Sequence, residues 1–131
     1  MEELFKLGIS ENTIYNMIEL NPNIKEMKNT QIATKIQLLK NIDCSDNQVL
    51  NIISSNALFL DKTNTEVIKL IKYLLNLGFN RLNLLFDSNP YILNSEPFEI
   101  ENYINKRKTN GELLKSIVDD LESNTYLFSE I

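Results

Sequence analysis

The sequence predicts an all-α protein, a solenoid of about four helix–turn–helix repeats, and three observations predict it. Apolar residues recur at helical spacing along the whole chain, with no sustained strand-like alternation. Four short segments resemble one another at intervals of 33 to 35 residues. The three glycines of the chain all fall at one phase of that interval.

The four segments are Asn21-Pro22-Asn23-Ile24, Asn56-Ala57-Leu58-Phe59, Asn89-Pro90-Tyr91-Ile92 and Asn124-Thr125-Tyr126-Leu127, each after an apolar-periodic stretch. A second marker precedes them: Leu7-Gly8-Ile9, Asn41-Ile42-Asp43, Leu77-Gly78-Phe79 and Asn110-Gly111-Glu112. A glycine just past a helix adopts positive φ without a Cβ penalty, so Gly8, Gly78 and Gly111 are expected to close helices.

Between the markers, Ile14, Met17 and Ile18 form one stripe and Ile32, Ile36 and Leu39 the next. Val49, Ile52 and Ile53 lead to Ile68, Ile71 and Leu75; Leu82, Leu85 and Phe86 lead to Ile100 and Ile104; Leu114, Ile117, Val118 and Leu121 close the set. Ser45 with Gln48 and Thr63 with Glu66 have capping-box spacing, and Ser10 and Ser95 are placed to cap the helices after them. Pro97 suits a first helical turn, and Pro22 and Pro90 lie beyond helices they could not continue.

First helices are therefore expected near 9–20, 43–54, 79–88 and 111–123, and second helices near 30–41, 65–77 and 96–108. The units run from about 4–41, 42–77 and 78–110 to a partial 111–131, within a single domain of residues 1–131. One unit cannot bury both its faces, but stacked units share a continuous core. Ile24, Phe59, Leu60, Tyr91, Leu93 and Phe128 are expected to plug the spaces between first and second helices.

Composition narrows the function. The 131 residues hold 13 basic and 18 acidic side chains, a net charge of −5, and no histidine. Without histidine the commonest general base, the Ser–His and Cys–His nucleophile pairs and most zinc sites are unavailable, so no enzyme, metal, cofactor or small-molecule substrate is expected. Cys44 cannot form an internal disulfide and reads as a small, part-buried apolar residue. The start Met1-Glu2-Glu3 is neither a signal nor a transit sequence, and no apolar run approaches the roughly 20 residues of a membrane span. A cytoplasmic location is expected, and the heavy use of Asn, Ile and Lys resembles a bacterial, AT-rich composition.

Leu4-x-x-Leu7-Gly8-Ile9-Ser10-x-x-x-Ile14 with Asn21-Pro22-x-Ile24, and Leu74-x-x-Leu77-Gly78-Phe79 with Asn89-Pro90-Tyr91-Ile92-Leu93, resemble the repeat of the mitochondrial transcription termination factor (mTERF) family. The resemblance runs from about Leu4 to Phe128, with Ile42 in place of the second glycine and Ala57 and Thr125 in place of prolines. It implies triangular units of two α-helices and a 3₁₀ turn, curved into a right- or left-handed superhelix. It also implies nucleic-acid binding along a positively charged concave groove.

Divided by element, the charge is uneven. The first helices hold nine acids against Arg81 and Lys115, about −7, whereas the second helices come to about +3. Lys35, Lys69, Lys72, Lys106, Arg107 and Lys108 are the candidate phosphate contacts, on a second-helix surface that meets DNA or RNA. The alternative is a protein–protein interaction module that kept the fold and lost the groove. Cations late in a helix also complement its dipole, which accounts for Lys40 and Lys106–Lys108 without any ligand. Aligning Ile42 with Gly78 sets Lys35 opposite Ile71, so the lysines form no repeated stripe. Asp119, Asp120 and Glu122 lack the spacing of a metal loop and are expected on a solvated face. The terminal Leu127-Phe128-Ser129-Glu130-Ile131 would cap the array or offer an edge to another chain.

Overall fold

The computed structural model describes residues 1–123. Eight α-helices and three 3₁₀ turns follow one another, with no strand among the described residues. Helices α1 (Glu2–Lys6), α2 (Glu11–Leu20), α3 (Asn29–Lys40) and α4 (Asp46–Ser55) are followed by α5 (Asn64–Leu77), α6 (Leu82–Ser88), α7 (Pro97–Thr109) and α8 (Leu114–Ser123). The 3₁₀ turns, Pro22–Glu26, Ala57–Asp61 and Pro90–Asn94, separate first helix from second in three successive units. The all-helical repeat fold is as the spacing predicts. The first helices α2, α4, α6 and α8 stack side by side, whereas α3, α5 and α7 approach one another only weakly.

Helix α1 and each of the second helices α3, α5 and α7 end in the same reverse turn. Gly8, Gly78 and Gly111 have φ of 90°, 108° and 91°, and the fourth positive φ belongs to Asp43 at 70°. The backbone N–H of the next residue reaches back five positions, Ile9 to Leu4, Cys44 to Leu39, Phe79 to Leu74 and Glu112 to Arg107, over 3.1–3.3 Å. These are Schellman motifs with the left-handed residue just past the helix. Asp43, not Ile42, is thus the counterpart of the glycines. Aspartate is among the few non-glycine residues that tolerate this region, which moves the register of the second unit by one.

The first helices end alike too. Asn21, Asn56 and Asn89 share φ near −135° and ψ between 69° and 84°, although Ala57 follows the second of them where proline follows the others. The packing of the unit therefore dictates this backbone and proline merely suits it. In the 3₁₀ turns that follow, Ile24, Phe59 and Ile92 sit three residues after the asparagine and are buried. Tyr91, one position earlier, is 64% exposed. The expectation of a plug holds for Ile24, Phe59, Leu60 and Leu93 and is corrected at Tyr91, because a period of three brings Ile92 inward. Phe128, Asn124 to Leu127 and the terminal apolar residues lie outside the described residues.

Helix starts follow the capping signals with one exception. Ser10 Oγ accepts from Thr13 N–H, Ser45 Oγ from Gln48 N–H and Thr63 Oγ1 from Glu66 N–H. Ser95 does not cap α7; Glu96 takes that place and Glu99 accepts its N–H at 3.0 Å, with Pro97 in the first turn. Helix α6 has seven residues where α2, α4 and α8 have ten. Asn80 stands where Ser10 and Ser45 cap, and the cap comes from α8 instead. Glu122 is buried and accepts from Asn80 N–H, Arg81 N–H and Arg81 Nε at 2.8–3.2 Å. Glu122 is therefore a buried cap and not part of a solvated face.

Candidate nucleic-acid interface

The register set by the left-handed residues superimposes the three second helices position by position. Lys35 falls on Leu70 and Tyr103, and Leu39 on Leu74 and Arg107. The candidate basic residues consequently divide into two groups.

Lys35 and Arg107 occupy inward positions. Lys35 is only 6% exposed, its Nζ donates to Asn64 Oδ1 at 2.8 Å, and burial lowers its pKa against the pull of Asp61 and Glu66. Arg107 donates to both carboxylate oxygens of Glu112, to Asp120 Oδ2 at 2.8 Å and to Tyr103 Oη at 3.2 Å, with its guanidinium 5.7 Å from the Tyr103 ring centre. The hydrogen bonds from Arg107 hold the Glu112 carboxyl below the usual carboxylate range.

The apolar counterparts explain the Arg107–Glu112 pair. At the same two positions the earlier turns hold Leu4 with Ile9, Leu39 with Cys44 and Leu74 with Phe79, all buried. The apolar contact that accompanies a Schellman turn is thus replaced in the last turn by a charged clasp. Glu112 and Asp120 both bind Arg107 while staying partly exposed.

Lys69, Lys72, Lys106 and Lys108 are exposed and form no ion pair with any described residue. Lys69 and Lys72 sit three residues apart on α5, on one face. Their counterparts are Thr34 and Gln37 on α3 and Asn102 and Asn105 on α7. One turn further on, the same face carries Asn41, Asn76 and Thr109; one turn back, Thr30, Thr65 and Phe98. All twelve are exposed and none is acidic, in a chain where acids outnumber bases. The lysines alone do not reveal this stripe, because its members are mostly amides and hydroxyls.

Next to it, where α3 meets the start of α5, lies a cleft of about 570 Å³. Thr30, Gln31, Thr34, Thr63 and Asn64 line it with Lys35 and Lys62, and Glu26 and Asp61 balance the two cations. Its walls come from two units, so no local motif announces it. Among the described residues no group of three or more Cys, Asp or Glu is arranged to hold a metal ion, and no helix is long and apolar enough to cross a membrane.

Stacked helix–3₁₀–helix units closed by Schellman turns define a helical-repeat protein. The family model described as mTERF matches residues 1–106, and the chain belongs to the mTERF family, known for nucleic-acid-binding helical repeats. No curated protein and no solved structure matches the chain.

Proposed function

We propose that the chain is a non-enzymatic binding module that contacts the phosphate backbone of DNA or RNA through the exposed face of α3, α5 and α7. The acid-free stripe carries the reading. Lys69 and Lys72 at its centre displace counterions, while Thr34, Gln37, Asn102 and Asn105 on either side donate hydrogen bonds to phosphate oxygens. Lys106 and Lys108 extend the positive charge along α7. Lys35 and Arg107 act behind this surface, holding α3 to α5 and the last turn to α8, and do not touch the ligand.

Contacts of this kind read charge and spacing rather than base sequence, so affinity should vary little between sequences. A fluorescently labelled DNA or RNA of about 20 nucleotides, titrated by anisotropy at low salt, tests the reading. Joint reversal of Lys69→Glu and Lys72→Glu should weaken binding at least tenfold, whereas Leu113→Glu at the far end of the array should leave it unchanged. Equal loss in both variants, or no binding by the native chain, would turn the reading toward the interaction-module alternative.

A further inference from the structure

We propose that the cleft between α3 and the start of α5 binds a small zwitterion, a free polar amino acid, with its carboxylate on Lys35 and its ammonium on Asp61 and Glu26. The observation that carries this is a set of opposite charges that face one cavity and do not meet. Lys35, Asp61 and Glu26 all line the cleft of about 570 Å³. None of the three forms an ion pair with any described residue.

Lys35 is the buried end of the arrangement. Its ammonium has three N–H bonds and one acceptor among the described residues, the neutral Asn64 Oδ1 at 2.8 Å. Asp61 and Glu66 act on it only from a distance, and burial outweighs their pull. A buried charge with so few partners lowers stability. The repeat does not ask for it, since the same position holds the buried Leu70 in α5 and the half-buried Tyr103 in α7. A cation that destabilises the fold and stands in a cavity wall is what a binding site retains.

The rest of the cleft narrows the ligand. Asp61 and Glu26 are exposed, so the acids stand toward solvent and the cation inward. Asp61 accepts from Asn23 Nδ2 through Oδ2 at 3.3 Å, which leaves Oδ1 to an ammonium. A simple anion would meet Glu26 and Asp61 as well as the lysine, and a simple cation would meet Lys35. A zwitterion satisfies both signs. Its side chain then lies among Thr30, Gln31 and Thr34, whose hydroxyls and amide suit a polar group. The volume is that of a small-molecule site. The absence of histidine bears on catalysis and not on this contact. The site is independent of whether Lys69 and Lys72 meet nucleic acid.

Calorimetric titration of the full chain with serine, threonine, asparagine and glutamine should show one-to-one binding of at least one of them. N-acetylation and C-amidation of that amino acid should each weaken binding by about tenfold or more, since each removes one charged contact. Lys35→Leu, which copies Leu70, should do the same, as should Asp61→Asn combined with Glu26→Gln. Lys69→Leu lies outside the cleft and should change nothing. In carbon NMR of the lysine side chains, the bound amino acid should raise the pKa of Lys35 alone. No binding of any of the four, equal binding of the acetylated or amidated form, or binding that survives Lys35→Leu would each overturn the proposal.

Discussion

The side-chain amide of Asn21 donates to the main-chain carbonyl of Ala57 across 3.0 Å, one unit further along the chain and away from water. Asn56 repeats the bond to Pro90 at 3.0 Å and adds a reciprocal pair with Asn94 at 2.9–3.1 Å. Asn89 reaches Leu121 at 2.8 Å. The residue that marks the repeat in the sequence is thus also the bond that joins the units. It caps one helix with its backbone and ties the next unit with its side chain.

Asn21→Ala should cost about 1–3 kcal/mol, since the buried Ala57 carbonyl loses its donor. Asn56→Ala should cost more, because it strands Pro90 and Asn94 together. Denaturant titration measures both, with Asn23→Ala as an exposed comparison of small effect.

The charged clasp can be exchanged for the apolar one it replaces. Arg107→Leu alone leaves Glu112 and Asp120 facing each other without their cation and should lower Tm. Adding Glu112→Phe recreates the Leu74–Phe79 pair and should recover it. The folded chain holds Glu112 below its ordinary pKa, so this contribution exists above the carboxylate range and is lost as pH falls. The native chain should therefore lose its stability relative to the double variant below about pH 4.

Lys35→Leu places in α3 the residue that α5 has at Leu70. It should raise Tm at pH 7, because burial disfavours the Lys35 charge. In alkaline solution, below the ordinary lysine value, the folded chain binds fewer protons at Lys35 than the unfolded chain does, so native stability gains with rising pH and the advantage of Leu shrinks. Nucleic-acid affinity should not change with this substitution. Thermal melts from pH 7 to pH 10 and one anisotropy titration check the two halves of the prediction.

Cys44 should resist alkylation in the folded chain, as its thiol is buried and pushed up to about 12 by desolvation. Its labelling rate with iodoacetamide should follow the unfolded fraction through a urea titration. Rapid labelling without denaturant would show that the second turn opens.

Most helices, their caps and the repeat itself are legible in the sequence, because apolar spacing and turn chemistry are local. The register of the second turn is not, since Asp43 does the work of a glycine while the neighbouring Ile42 invites alignment. That single step decides whether Lys35 is matched with the half-buried Ile71 or with the buried Leu70. Glu122 and Arg107 mislead for another reason: their partners, Asn80 and Asp120, lie 42 and 13 residues away, and only packing brings them together. The stripe of α3, α5 and α7 is half visible in the sequence, as Lys69 and Lys72, because its remaining members carry no charge to find.

The salt dependence of nucleic-acid binding tests the functional account most directly. For the native chain on duplex DNA, log K should fall linearly with log salt, and reversing Lys69 and Lys72 should reduce that slope by about 2, one for each phosphate that a lysine no longer neutralises. Binding whose slope is indifferent to both lysines, or no binding at about 50 mM salt, would contradict it.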